Sequence, residues 1–313
     1  MSQDGWTGVS SPFHEGEQLI QERVGVRERA ERQGRRFIRD HMPEQHREFY
    51  AQLPCLLVGS VDADGRPWAS LLAGSPGFVR APDPRTLVIG RAPEIGDPLA
   101  HNLALGVPLG ILGIEFATRR RNRMNGRVVD LGPGDFAVAV DQSFGNCPKY
   151  IQRREPRSAS APPRTALGGP VKELGALDEP ARRLIAAADT FFIATQASPG
   201  GDAHIAGVGV SHRGGPAGFV RVDDAATLTW PDFVGNAFFN TIGNLLLNPR
   251  AGLLFIDFET GDRLWLTGRV EILWDAPEQQ AFEGAERLLR FSLEAALRLA
   301  EALPLRWERC AGE

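Results

Sequence analysis

Three stretches of this chain carry residue types that could hold an anionic ligand. The first is Ser211-His212-Arg213-Gly214-Gly215. An arginine offers a planar fork of donors that matches a phosphate. Glycines let backbone N–H groups come close to an anion. His212 adds a donor that can titrate near neutrality. The simpler alternative is a glycine-rich hairpin turn with an exposed arginine. The second stretch runs from Trp230 through Asn236 and Asn240 to Asn244 and reads as a strand leading into a helix. Helix starts favour anions through unpaired N–H groups. Asparagines spaced four apart share one helix face, and asparagine is a poor helix former, so three of them ask for a reason. The alternatives are solvent exposure and a plain N-cap at Asn236. The third stretch is Gln142-Ser143-Phe144-Gly145-Asn146-Cys147-Pro148-Lys149-Tyr150. Lys149 and Lys172 are the only lysines, and a cysteine close to a lysine can become reactive. A buried thiol beside a surface lysine is the competing reading. A cysteine hydrolase would also need a histidine and an orienting acid, and no spacing singles one out.

Other charged residues say less. Alternation along a strand puts Arg119, Arg121 and Arg123 on one face. We read them as solvated or ion-paired, because one short basic cluster in a chain of net charge −4 is poor evidence for nucleic-acid binding. The histidines at 14, 41, 46, 101, 204 and 212 show no metal-ligand spacing.

The elements that must position these residues occur twice. Gly77-Phe78-Val79-Arg80 recurs as Gly218-Phe219-Val220-Arg221, Asn102-Leu103 as Asn244-Leu245, Ile114-Glu115-Phe116 as Ile256-Asp257-Phe258, and Gly126-Arg127-Val128 as Gly268-Arg269-Val270. Aligning Ser75 with Ser211 makes His212-Arg213-Gly214-Gly215-Pro216 an insertion unique to the second copy. Glu94, Pro98 and Asn102 stand where the second copy has its three asparagines. Glu94 would repel a phosphate, so the second copy is expected to carry the anion site.

Apolar runs separated by turn residues predict strands at 55–60, 68–73, 87–90, 109–116, 121–129 and 136–140, with a helical stretch at 93–105. The second copy predicts strands at 191–196, 203–210, 219–222, 227–230, 252–258 and 263–273 and a helix over 236–247. Pro199-Gly200-Gly201-Asp202 reads as a turn. A charged amphipathic helix is expected over 15–41, weakened at Gly25 and Gly34, then a short helix from Pro43 to Tyr50. Leu177 to Ala188 reads as a helix with Asp178 as N-cap. The last segment, Asp275 to Leu303, reads as one long amphipathic helix. The Pro-, Ser-, Arg- and Gly-rich stretch near 153–172 reads as a linker or surface strap. The domains expected are therefore 1–152, with N-terminal helices and a first barrel, and 173–313, with a second barrel and a terminal helix. Many short strands with few helices suggest small barrels, and a crevice between two of them is a natural cofactor site.

A chain of 313 residues, 42% hydrophobic and 24% charged, has the composition of a soluble globular protein of two domains. Cys55, Cys147 and Cys310 form neither a disulfide framework nor a zinc motif. We expect reduced thiols, a cytoplasmic location, no membrane span and no nucleic-acid partner.

These stretches together resemble pyridoxamine 5′-phosphate oxidase-like flavin-binding split-barrel proteins. The resemblance rests on the Asn-Cys-Pro-Lys-Tyr segment at 146–150, on Ser211-His212-Arg213-Gly214-Gly215 leading to Gly218-Phe219-Val220-Arg221, on Pro231 to Asn236, and on Asn248 to Phe255. It spans roughly Phe13 to Asp275 and is nearest to the long, two-copy branch. It implies two tandem split β-barrels, an α+β chain that is mainly β with flanking helices. In such a pseudo-dimer, FMN binds between the barrels. It would place Ser211, His212, Arg213 and Gly214 at the FMN phosphate and ribityl chain, with Asn236, Asn240 and Asn244 on the phosphate side. Asn146, Cys147, Lys149 and Tyr150 would approach from the other barrel. Asparagine stands on the helix where the family has basic residues, which leaves F420 and haem as alternative cofactors. The implied activity is FMN-dependent oxidoreduction with a small-molecule substrate or electron donor, and a non-enzymatic flavin or haem carrier is the alternative. A homodimer is a further expectation.

Overall fold

The computed structural model describes residues 5–159, 170–197, 207–301 and 303–310. The turn expected at 199–202, the first part of the strand expected from Ala203, His204 and the middle of the linker lie outside them.

Three helices come first. α1 (Glu15–Arg23) and α2 (Arg27–Phe37) replace the single helix expected, and α3 (Glu44–Ala51) follows Pro43. The break falls at Gly25, whose φ of +71° suits glycine and few other residues. The first sheet comprises β1 (Cys55–Val61), β2 (Pro67–Ala73), β3 (Val79–Asp83), β4 (Thr86–Ile89), β5 (Pro108–Glu115), β6 (Arg120–Leu131) and β7 (Phe136–Gly145), with the short helix α4 (Leu99–Asn102) between β4 and β5. Then come β8 (Arg154–Ser158), β9 (Lys172–Leu174) and α5 (Glu179–Ala187), which Asp178 caps at the Ala181 N–H. The second sheet holds β10 (Thr190–Gln196), β11 (Val208–Gly214), β12 (Arg221–Val222), β13 (Thr227–Phe233), β14 (Arg250–Ile256), β15 (Arg263–Leu273) and β16 (Ala285–Leu299). Helix α6 (Asn240–Leu247) lies between β13 and β14, and β17 (Leu305–Arg309) ends the series.

The two sheets have the same topology. Their orders, β2-β1-β5-β6-β7-β4-β3 and β11-β10-β14-β15-β16-β13-β12, correspond strand for strand, and β9 adds to β16. Both are open, since β2 does not pair with β3, nor β11 with β12. The chain is thus mainly β with flanking helices and two tandem copies of one sheet, as expected; the sheets are split rather than closed.

Packing explains the long apolar runs. Leu56 and Val58 of β1 point into a core lined by β1 to β7, while Cys55 and Leu57 point to a second core shared with Phe192, Ala194, Leu254 and Trp265 of the other copy. A strand buried on both faces reads as a continuous apolar run. The copies meet through close backbone approaches. A Cβ placed on Gly110 would lie 2.7 Å from the Gly209 Cα, and one on Gly252 would lie 2.2 Å from the Pro67 carbonyl oxygen.

Register corrects the alignment read from sequence. Val58 pairs with Ser70, and Ile193, at the same place in β10, pairs with Ser211. Ser211 therefore corresponds to Ser70, not Ser75. His212 and Arg213 stand where the first copy has Leu71 and Leu72, so they are substitutions on a paired strand rather than an inserted loop. The extra length of the second copy falls in the β10–β11 connection.

Two other expectations change. Asp275–Leu303 is not a helix: it contains a short 3₁₀ turn at Pro277–Ala281 and then β16. Leu289, Phe291, Leu293, Ala295, Leu297 and Leu299 alternate with the period of a strand, while Leu289, Leu293 and Leu297 also fit helical spacing. Pairing with β15 and β13 on both sides decides between them. The supposed linker is structured at its ends, where β8 pairs with β17 and β9 with β16. α1 packs on the second copy. It crosses α6 so tightly that a Cβ on Gly16 would fall 2.2 Å from the Gly243 carbonyl oxygen.

Candidate functional site

Between the copies lies a cavity of about 100 Å³. The first copy supplies Arg121 and Arg123 from β6 and Asn146 just beyond β7. The second supplies Ser211, His212 and Arg213 from β11, Asp232 from β13, Asn236 from the loop, and Asn240 and Thr241 from the start of α6. An adjoining recess of about 60 Å³ shares Arg121, His212, Arg213 and Phe233 and adds Cys147, Lys149, Tyr150 and Gly214. The structure thus brings together every candidate residue read from sequence except Asn244.

Asn244 is on the buried face of α6. Its side-chain amide donates to Thr195 Oγ1 at 3.0 Å, and its oxygen lies 2.8 Å from His14 Nε2. It ties α1 and β10 to α6 and does not line the cavity. Asn240 does line it, but its amide donates to the Glu17 carboxylate. Asn236 is not on the helix. It sits in the loop before α6, donating to Asn146 Oδ1 at 3.1 Å and accepting from the Phe238 N–H.

The cavity is rich in cations and donors. Arg123 donates to Ser211 Oγ at 3.2 Å, and Thr241 Oγ1 lies 3.2 Å from the same hydroxyl. Arg123 gets there because β11 has glycine at 209: a Cβ there would fall 1.7 Å from the guanidinium. Arg121 has no carboxylate partner among the described residues, and its Nε, like the Nε of Arg213 and Nε2 of His212, is buried without a hydrogen-bond partner. Arg213 lies 3.4 Å from Asp232, which Arg287 also holds. Burial and then the neighbouring Arg213 push Arg121 down to about 10. Burial likewise brings Arg123 to about 10, with Glu17 opposing and Arg213 adding. Both remain protonated at neutral pH. This is a site that crowds positive groups out of water and leaves donors unused, an arrangement that an anion would relieve.

His212 behaves differently from expectation. Burial, helped by Arg121, Arg213 and Arg154, holds its imidazole well below the usual range, so it is neutral at physiological pH rather than poised there.

The backbone contributes as well. The N-cap of α6 is Phe239, with φ +59° and no side-chain cap. No side chain caps the first-turn N–H groups of Asn240 and Thr241, two residues that line the cavity. Ala237 and Tyr150, also on its rim, have φ of +65° each. Left-handed non-glycine residues cost energy and concentrate at functional sites. Tyr150 stacks on Phe233 with ring centres 5.2 Å apart and donates to the Val234 carbonyl at 3.1 Å.

Arg121 and Arg123 were missed as site residues. Alternation did put them on one face, but that their face meets the other copy is a tertiary fact. Among the described residues no group of three or more His, Cys, Asp or Glu side chains could hold a metal ion, and no helix is long and apolar enough to cross a membrane.

Residues 177–303 match the family model described as pyridoxamine 5′-phosphate oxidase. No curated protein matches the chain. Among solved structures, a pyridoxine-phosphate oxidase family protein from Clostridium acetobutylicum is 13% identical, covering 42% of this chain and 92% of its own, with a TM-score of 0.30. An FMN-binding protein from Syntrophomonas wolfei is 11% identical, covering 38% and 87%, with a TM-score of 0.28. A haem storage protein from Vibrio cholerae is 15% identical, covering 40% and 94%, with a TM-score of 0.28.

Proposed function

We propose that this chain, whose second half carries the pyridoxamine 5′-phosphate oxidase family match, is an FMN-binding flavoprotein and an oxidoreductase. The observation that carries the reading is the cluster of Arg121, Arg123 and Arg213 with unused buried donors beside the open start of α6. That donor set fits a phosphate monoester. Cavity volumes of about 100 and 60 Å³ suit a phosphate group. Whole-ligand pockets run from roughly 300 Å³, so the rest of the cofactor would occupy the open mouth.

Each residue then has a definable task. Arg121, Arg123 and Arg213 supply charge and directed N–H groups, and Ser211 and Thr241 supply hydroxyls. Asn236 and Asn146 join the two copies across the site. Tyr150, stacked on Phe233, walls the recess that holds Cys147 and Lys149. A bound flavin would supply hydride and electron transfer, with the protein supplying binding and orientation. The proposed domains, 1–152 and 173–313, with 153–172 as the linker between them, then share one site. The substrate or electron donor would be a small molecule, the location cytoplasmic, and a homodimer is compatible with this arrangement.

One observation favours a second reading. His212 is neutral with Nε2 unpartnered, and an imidazole in that state can ligate haem iron. A haem carrier, or an F420 protein, would share the cavity. FMN titration followed by fluorescence quenching separates these. The flavin reading expects saturable binding that Arg213→Leu weakens; binding of haem and not FMN would replace it.

A further inference from the structure

The site has a twin, built from the same positions with the two copies exchanged, and the twin is already filled. Ile114 pairs with Arg121, and Ile256, at the same place in β14, pairs with Arg263. Arg263 is thus the counterpart of Arg121, and Ser70 the counterpart of Ser211. Arg263 is fully buried, ion-paired with Glu94 and lying 3.3 Å from Asp97 Oδ2. The Asp97 carboxylate also accepts from the Ser70 hydroxyl and from the Leu99 N–H in the first turn of α4. An arginine, a serine hydroxyl and a helix-start N–H converge on one carboxylate. Burial raises the Asp97 carboxyl, and Arg263, Ser70 and the Leu99 N–H pull it back towards the ionised form.

The remaining differences run the same way. Where Gly209 admits Arg123, the twin has Trp68 and Trp265, both buried. Where the twin has Glu94, the open site has Asn236. Where Asp97 accepts from the Leu99 N–H, the start of α6 has Phe239, which has no side-chain acceptor.

We infer that the chain binds one anionic group, and that the Asp97 carboxylate, with Glu94, is a built-in anion that closes the second of two equivalent sites. It follows that the anion at the open site is held by the counterparts of the groups around Asp97: Arg121, Ser211 and the Thr241 N–H. This rests on reading the cavity as an anion site and not on which cofactor brings the anion.

Transplanting the closure tests it. Asn236→Glu places a carboxylate at the position corresponding to Glu94. With inorganic phosphate as probe in equilibrium dialysis, the full chain should take up one phosphate per chain and Asn236→Glu none. Without phosphate, Asn236→Glu should unfold at a midpoint about 2 °C or more above the parent, the scale of shift that one new favourable pairing gives in a chain of this size. Asn236→Gln, which adds bulk without charge, should show no such rise. Two phosphates per parent chain, none at all, or an Asn236→Glu that still binds phosphate or melts no higher than Asn236→Gln would overturn the inference. Phosphate uptake without any FMN uptake would retract the flavin reading while upholding this one.

Discussion

Arg121 and Arg263 occupy the same register position in two sheets of identical strand order, yet one faces a cavity between the copies and the other is closed on Glu94 and Asp97. Duplication gave the chain two equivalent arginines, and the surrounding residues fix opposite fates for them. Arg121 keeps unused donors in a crowded positive cavity; Arg263 is neutralised within the fold.

That contrast predicts opposite phenotypes for two variants. Arg121→Leu should leave the fold intact and weaken FMN or phosphate binding by roughly 10- to 100-fold, the loss of one charge-assisted hydrogen bond. Asp97→Ala should leave Arg263 with Glu94 alone and the buried Ser70 hydroxyl and Leu99 N–H without their acceptor, and cost about 1–3 kcal/mol of stability. Titration on one variant and chemical denaturation on the other check the pair; equal stability losses would mean that Arg121 is structural too.

Gly209 should matter for binding rather than folding. A Cβ there collides with the Arg123 guanidinium, the far end of a flexible side chain. Gly209→Ala should therefore displace Arg123 from Ser211 and loosen anion binding about 10-fold, with little change in unfolding midpoint. Gly110→Ala, whose Cβ would meet the Gly209 backbone, should instead destabilise the packing of the copies. Affinity and thermal melts of both variants, measured side by side, distinguish the roles.

Asn244→Ala should destabilise the protein by about 1–3 kcal/mol, because it removes one hydrogen bond from each of the buried His14 and Thr195. Any loss of cofactor should follow from that loosening of α1 against α6. A variant of unchanged stability and lost binding would put Asn244 in the site after all.

This is where the sequence was legible and where it was not. The repeat, most strands and the residues 211–213 and 146–150 could be read because period-two alternation and residue type are local properties. β16 was misread because leucines at 289, 293 and 297 satisfy both periods, and only its two neighbouring strands choose between them. The supposed insertion at His212 dissolved once Ser70 and Ser211 were matched by strand pairing. Arg121 and Arg123 could not be assigned because what they face is the other copy. Asn236 and Asn240 were placed on one helix because a left-handed break at Phe239 leaves no mark in the sequence beyond an ordinary aromatic residue.

Acid should weaken the fold through His46. Burial first, then Arg39, Arg120 and His41, lowers its folded-state value from 6.5 to about 4. Between those limits the unfolded chain binds the proton and the folded chain does not, so stability falls as pH drops from about 6.5 towards 4. His46→Gln, which can still reach Ser143, should flatten that part of the profile in urea titrations at stepped pH. An unchanged slope would assign the acid sensitivity elsewhere.

The central claim is a flavin phosphate held between the two copies, and an absorbance spectrum of the freshly purified protein tests it most directly. The account predicts the visible absorbance of an oxidised flavin, at one flavin per chain and diminished in Arg121→Leu. A Soret band in its place, or a protein that stays colourless after incubation with FMN, would contradict it.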